Sequence, residues 1–372
     1  MSGGDGAGRG AGAAGTGASS AGAAGVATVG PRAAGPGAPG RGAPGRGGAG
    51  AASPSGGHEL ARRVRESIEL SSFAVIGVIV VLFVVLSATS SNFLTGSNLS
   101  NVLDETAEYG IMAAGEALVF ISGGFDLSIG AIYALAGIFC AMAAQHMPTP
   151  LALILGTLSG LGMGIVNGLL VTLARINAFI ATIGTQFVIS SVALVVTGGL
   201  LISDSSASFV AIGRGSFLGV TYYSYAWLAV VVVTGFVLWR TRLGRYMKAA
   251  GGGEAAARLA GIRVGLVRTT AFALSGACAA LAGVIEVSRT GTGNSNVDPT
   301  IPLTVIAAVV IGGVSIFGGE GAIWRTVIGA LILTLIDDGL ALLNVAPTWE
   351  QAFEGVIILI AVGFDAWTRL RR

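Results

Sequence analysis

Along this chain the apolar positions neither alternate nor recur once per helical turn. They run on in solid blocks separated by short polar stretches. The blocks cover approximately residues 71–89, 106–121, 127–144, 150–173, 178–201, 225–239, 268–287, 302–317, 322–343 and 351–367. A helix that is apolar all round belongs inside a bilayer or a large core, and about 20 apolar residues cross the hydrocarbon layer. The pattern therefore predicts an all-α polytopic membrane protein with about ten transmembrane helices. Five spans followed by five would give the halves opposite orientations, as in an inverted repeat, although the two halves share no evident sequence match.

Composition points the same way. Hydrophobic residues make up 53% of the 372 and charged residues 11%, against about 25% charge in a soluble domain. A soluble protein is excluded, and membrane lipid is the expected surrounding. Residues 1–57 differ: they hold almost nothing apolar beyond alanine. Such a segment cannot bury enough surface to offset its ordering entropy, so a solvated, disordered tail is expected, with a membrane domain over 58–372. Lacking an apolar h-region, the tail is not expected to be a signal peptide. Its scattered arginines suit a solvated tail better than a contact with anionic lipid or nucleic acid.

Charge sets the orientation. Of the 21 Lys and Arg, four (Arg9, Arg32, Arg41, Arg46) lie in the tail; with the N-terminus inside, fifteen fall in inside segments and two, Arg214 and Arg289, outside. Cationic residues gather in cytoplasmic loops, so both termini are expected in the cytoplasm.

One block is broken. Apolar residues run from about Tyr109 to Ala144, too far for one ordinary span, with "ISGGFDLSIGA" in the middle. Gly123 and Gly124 favour a helix end, and Asp126 is placed to cap the next helix by accepting N–H groups from Leu127 to Ile129. A second reading puts a broken helix beside a polar cavity, since irregular backbone at membrane depth must line protein or water. Asp126, Ser128, Asn167 and Asn177 are thus candidates for helix caps or for lining a path. Charges inside spans are costly, which adds Glu116 and the pair Asp337 and Asp338 in "LTLIDDGLALLN", near the outer end of the ninth span. The alternative for that pair is a hydrated outer vestibule. His58 and His146 have no zinc spacing, Cys140 and Cys278 lie in apolar runs and are expected to be reduced and buried, and no Ser/His/Asp arrangement appears. No metal, no cofactor and no catalytic residue is expected.

The longest inside connection spans residues 240–268. Within it "GEAAARLAGI", Gly253 to Ile262, is a short helix former, with Glu254 and Arg258 at the favoured i,i+4 spacing and Gly261 as a stop. It reads either as an interfacial helix or as a docking helix for a cytoplasmic partner. "IGGVSIFGGEGAIW" nearly imitates a phosphate loop, but Gly319 and Glu320 stand where Lys and Ser/Thr are required. Nucleotide binding there is rejected; a tight turn between close-packed helices explains the glycines.

Six segments, "GGFDLSIGAIYALAG", "GIVNGLLVTLARINAFIATIGT", "GRYMKAAGGGEAAARLAGI", "ALSGACAALAGVI", "IAAVVIGGVSIFGGEGA" and "WEQAFEGVIILIAVGFD", together resemble the permease subunit of bacterial ABC importers for monosaccharides, the ribose, xylose and galactose group within the branched-chain amino-acid permease superfamily. The likeness runs in order from roughly 70 to 367. It implies a transport subunit that is not an enzyme, in a bacterial plasma (inner) membrane. The partners it implies are a cytoplasmic ABC ATPase, an extracytoplasmic sugar-binding protein and a second permease copy. It also implies that Gly252, Gly253, Glu254, Ala255, Ala256, Arg258, Leu259 and Gly261 couple to the ATPase. Three features depart from the pattern: the tail, "VDPTIPLTVIAAVV", and the acids of "IDDGLALLN". The latter two bear on which sugar is carried. The rivals are a branched-chain amino-acid ABC permease and a secondary transporter using Glu116, Asp337 and Asp338 for proton or sodium coupling. A membrane-embedded assembly factor is a weaker third.

Overall fold

In a computed structural model of the chain, the described residues are 76–346 other than 205 and 297, together with the isolated positions 349, 352, 353, 355, 356, 359 and 363. The tail, the start of the first expected span and most of the last lie outside them. The helices are α1 (Ile76–Thr89), α2 (Gly96–Ile121), α3 (Ile129–Ala144), α4 (Thr149–Thr172), α5 (Ala178–Thr197), α6 (Ala207–Arg214), α7 (Tyr222–Arg240), α8 (Arg242–Gly252), α9 (Glu254–Leu259), α10 (Val264–Thr290), α11 (Ile301–Ile311) and α12 (Ile323–Leu342). Two small ribbons complete the fold. Strands β1 (Ile202–Ser203) and β4 (Thr292–Gly293) pair antiparallel, and β2 (Ser216–Phe217) with β3 (Val220–Thr221) makes a hairpin. Its two-residue loop, Leu218–Gly219, has both residues at positive φ, the conformation that the right-handed twist of a tight hairpin demands.

Among the described residues, α4, α5, α7 and α10 are long and apolar enough to cross a membrane, while α1, α3 and α11 are apolar but shorter. Burial separates their roles. Of the most apolar stretch of each helix, 67% is buried in α10 but only 28%, 22% and 22% in α4, α5 and α7. Helix α10 is therefore the axis of the bundle, packed by α2, α3, α4, α6 and α8, and the outer helices turn large apolar side chains such as Phe187, Val195 and Phe236 outward.

Small residues allow that central packing. Gly156, Gly160, Gly164 and Gly168 fall four apart and line one buried face of α4. A Cβ on Gly168 would stand 2.6 Å from the Thr269 Cα, and one on Gly156 2.6 Å from Val284 Cγ2. At Gly160 it would collide with Ala280 and the Gly276 carbonyl, whereas beside Gly162 nothing lies within 4 Å. Helices in lipid associate through such close backbone approach. Gly160→Leu is therefore expected to cost about 1–3 kcal/mol or more through overpacking, and Gly162→Leu close to nothing. Thermal unfolding of the purified variants checks this; equal midpoints would mean that α4 and α10 do not meet along this face.

Two helix boundaries differ most from the sequence expectation. Helix α2 begins ten residues before the expected 106, with the Thr95 side chain accepting from Asn98 N–H at its start. Its early acids, which break the apolar pattern, have partners: Thr221 donates to Asp104 and Tyr133 to Glu108 at 2.7 Å. Helix α11 stops at Ile311 rather than 317. Gly313 adopts φ +74°, and Gly312 lies against the backbone of Arg325, so the chain is already turning into α12.

Candidate functional site

The break between α2 and α3 builds a buried polar site. After Ile121, Ser122 closes α2, and Gly123 takes φ +82°, a conformation open to glycine without strain. The chain then runs back irregularly alongside α2, so that the Asp126 N–H donates to Glu116 Oε1, ten residues earlier, at 3.0 Å. Ser275 of α10 donates to the other Glu116 oxygen at 3.3 Å. Ser128 donates twice to Asp126 Oδ1, from its N–H at 3.0 Å and its hydroxyl at 2.6 Å. Asn167 of α4 donates to Ser128 Oγ at 2.6 Å and to Asp126 Oδ1 at 3.5 Å. All five side chains are fully buried.

Asp126, Ser128 and Asn167 therefore belong to one site, with Glu116 and Ser275. Of the three N–H groups between Leu127 and Ile129, Asp126 meets that of Ser128. The N-cap position itself falls on Ser128, whose side chain makes no cap bond. The carboxylate acts as a turn-former two residues ahead of the N-cap. Asp126 Oδ2 and Asn167 Oδ1 are buried without a hydrogen-bond partner, and among the described residues the ion pairs involve neither carboxylate. Such a cluster can hold a proton or line a polar path. It brings together two carboxyls, two hydroxyls and one amide, and among the described residues there is no group of three metal-ligating side chains.

The remaining candidates lie elsewhere. Asn177 caps α5, accepting from Phe179 N–H at 3.0 Å. Asp338 accepts from Asn98 at 3.0 Å, beside the start of α2 and so at the opposite end of that helix from the break. Near that end a cavity of about 390 Å³ is lined by Asp104, Gly213, Arg214, Thr221, Arg289 and Thr290, and Arg289 pairs with Glu286 at 2.8 Å. Glu108, Tyr133 and Glu286 did not stand out in the sequence. The signal was there: Asp104, Glu108 and Glu116 fall at multiples of four on α2, one face of a helix.

The second site is the connection between α7 and α10. Thr241 caps α8, accepting from Gly244 N–H at 3.2 Å. After Gly252 and Gly253 comes the short α9, closed by the Gly261 N–H to the Arg258 carbonyl and the Ile262 N–H to Ala257; Gly261 itself sits at φ +81°. Ala257 is buried, whereas Ala255, Ala256, Arg258 and Leu259 are exposed, Leu259 at 91%. Glu254 is shared: Oε1 takes Arg258 at 2.7 Å and Oε2 takes Arg268 at 2.7 Å. The Arg258 hydrogen bonds, seconded by Arg268, hold its carboxyl below the ordinary 4.5. A lowered pKa means that the pairs contribute fully above 4.5 and are lost as pH falls through the lowered value.

Three glycine turns from distant parts of the chain close against one another at this end. A Cβ on Gly123 would lie 3.3 Å from the Gly251 Cα, and one on Gly319 2.7 Å from the Gly252 Cα. The Gly319 N–H donates to the Ile121 carbonyl at 3.0 Å. The segment 312–321 is thus a turn whose backbone seals the end of α2.

Residues 98–362 match the family described as "Branched-chain amino acid transport system / permease component". The chain is 38% identical to the ribose import permease protein RbsC of Escherichia coli (strain K12) over 292 residues, 77% of this chain and 91% of that protein. It is 37% identical to RbsC of Bacillus subtilis (strain 168) over 288 residues, 77% of this chain and 89% of the other. The L-arabinose ABC transporter permease protein AraH of Azospirillum brasilense is 35% identical over 300 residues, 80% and 88% of the two chains.

Proposed function

The chain belongs to the family of permease components of the branched-chain amino acid transport system, and from that premise we propose that it is the membrane permease subunit of an ABC importer for a monosaccharide. The observation that carries the reading is the extent of the likeness to ribose and arabinose permeases, which takes in some nine-tenths of those proteins. The subunit conducts the sugar and hydrolyses nothing itself. It works with a cytoplasmic ABC ATPase, an extracytoplasmic sugar-binding protein and a second copy of itself. It spans the bacterial plasma membrane ten times, as five helices and five, with both termini in the cytoplasm and residues 58–372 as the permease domain.

In this reading the segment Gly252–Gly261 is the docking surface for the ATPase. A six-residue helix is too short to span, and with Ala257 alone buried it leaves Leu259 and the other alanines exposed. They suit the cleft of a partner. Docking to one conformation more tightly than to another shifts the permease between inward-open and outward-open forms. The buried site of Glu116, Asp126, Ser128, Asn167 and Ser275 lines the segment that such a shift must move.

A branched-chain amino-acid permease and a secondary transporter are not favoured, since the relatives are named for sugars and for ABC transport. Co-purification of the permease from its own membranes should bring down an ABC ATPase. Proteoliposomes holding that complex should import ribose or arabinose when the binding protein and ATP are supplied. The variant carrying Asp337→Asn and Asp338→Asn should retain substantial uptake, insensitive to protonophores at fixed ATP. Uptake that collapses with the proton gradient would instead make the chain a secondary transporter.

A further inference from the structure

One side chain bonds both to α9 and to the end of α2. Arg268 stands one turn into α10. Its Nη1 lies 2.7 Å from Glu254 Oε2, and its Nε donates to the Ser122 carbonyl at 3.1 Å. Its Nη2 is 3.3 Å from where a Cβ on Gly123 would be. Ser122 is the C-cap of α2, so its carbonyl belongs to the negative, under-bonded end of that helix. A guanidinium can hold a carboxylate and a carbonyl at once because its donors form a rigid fork; a lysine ammonium offers one compact charge. Arg268 is also sheltered, with 19% of its side chain exposed against 62% for Arg258.

From Ser122 the connection continues inward through a run of backbone hydrogen bonds. The Gly123 and Gly124 N–H groups return to the carbonyls of Phe120 and Val119 at 2.9 and 3.0 Å. Two residues on, the Asp126 N–H holds Glu116. Backbone contact of Gly251 with Gly123 and of Gly319 with Ile121 stiffens the same corner. A displacement of α9 thus has a short bonded route to the buried carboxylates.

We propose that Arg268 is a positioning residue that ties the α9 segment to the α2–α3 turn, so that movement of the docking helix is felt at the Glu116–Asp126 bonds. The functional meaning of this tie rests on α9 being the docking surface. The tie itself is a property of this chain alone, and the two can be tested apart.

Hydrogen exchange in the purified full-length permease, without any partner, tests the tie. Glu254→Gln alters a part-exposed side chain and removes the charge that anchors Arg268. It should speed exchange of the Gly123, Gly124 and Asp126 amides by about tenfold, as local opening becomes easier. Arg268→Met should do the same, and the two together no more than either alone. Wild-type exchange at residues 123–126 in Glu254→Gln, or effects of the two substitutions that simply add, would overturn the proposal. In the assembled transporter, Arg268→Met and the milder Arg268→Lys should keep the ATPase bound while sugar imported per ATP falls about tenfold. If the variants shed the ATPase and the remaining complexes import at the normal ratio, Arg268 belongs to the docking surface and the tie carries nothing. A wild-type permease that retains no ATPase sinks the docking reading instead, and the exchange rates still decide the tie.

Discussion

Asp126→Ala is expected to destabilise the permease by about 2–4 kcal/mol, while Asp126→Asn costs under about 1 kcal/mol. The difference follows from a single oxygen. Asp126 Oδ1 accepts both the N–H and the hydroxyl of Ser128, and it takes the longer contact from Asn167. Alanine leaves buried donors with no water to turn to, and each orphaned group costs roughly 1–3 kcal/mol. Loss of the carboxylate also relieves its crowding against Glu116, which offsets part of that cost. An asparagine carbonyl can occupy the Oδ1 position and keep the turn. Thermal unfolding in detergent, read beside uptake, separates the roles. If Asn destabilises as much as Ala, the hydrogen-bond account of the turn is wrong. If Asn folds normally but abolishes uptake, the negative charge itself is needed for transport.

How much of this was legible in the sequence depends on whether the signal was local. Helix α4 was expected at 150–173 and occupies Thr149–Thr172, because one uninterrupted apolar block with a proline near its start fixes both ends. Helix α2 was cut short by the same logic. Asp104 and Glu108 read as the edge of a span when they are polar residues of a helix face, satisfied by Thr221 and Tyr133 from other elements. Nothing near them in sequence announces those partners. The corner of glycines could be read as a close-packed turn at 312–321, yet not that its backbone would meet Gly251, Gly252 and Gly123, some 60 to 200 residues away. Asp126 was singled out from its setting in an apolar run. Its bond to Glu116 was not, because a helix end and a reversal lie between the two. Arg268 counted only as one of fifteen inside charges. Its importance comes from two contacts, to Glu254 and Ser122, that only the folded chain brings within reach.

Ala256→Trp should leave the permease folded and inserted but lower ATPase retention and uptake by at least about tenfold, equal to about 1.4 kcal/mol of docking free energy. The reason lies in how α9 is placed. Ala257 faces the protein and is buried, so a bulky group there would disturb packing; Ala256 is exposed, and a tryptophan can stand clear of the fold. What it cannot clear is a cleft shaped around small side chains. Glu254→Arg should also weaken docking, but by a different route. It reverses the charge that pairs with Arg258 and Arg268, placing three cations together on the helix and the end of α10. Ala256→Trp keeps those pairs, so exchange at residues 123–126 should stay at the wild-type rate even as the ATPase is lost; Glu254→Arg should raise both. If the Ala256→Trp permease still binds the ATPase and supports hydrolysis and import at wild-type rates, α9 lies flat in the membrane interface and the docking surface is elsewhere.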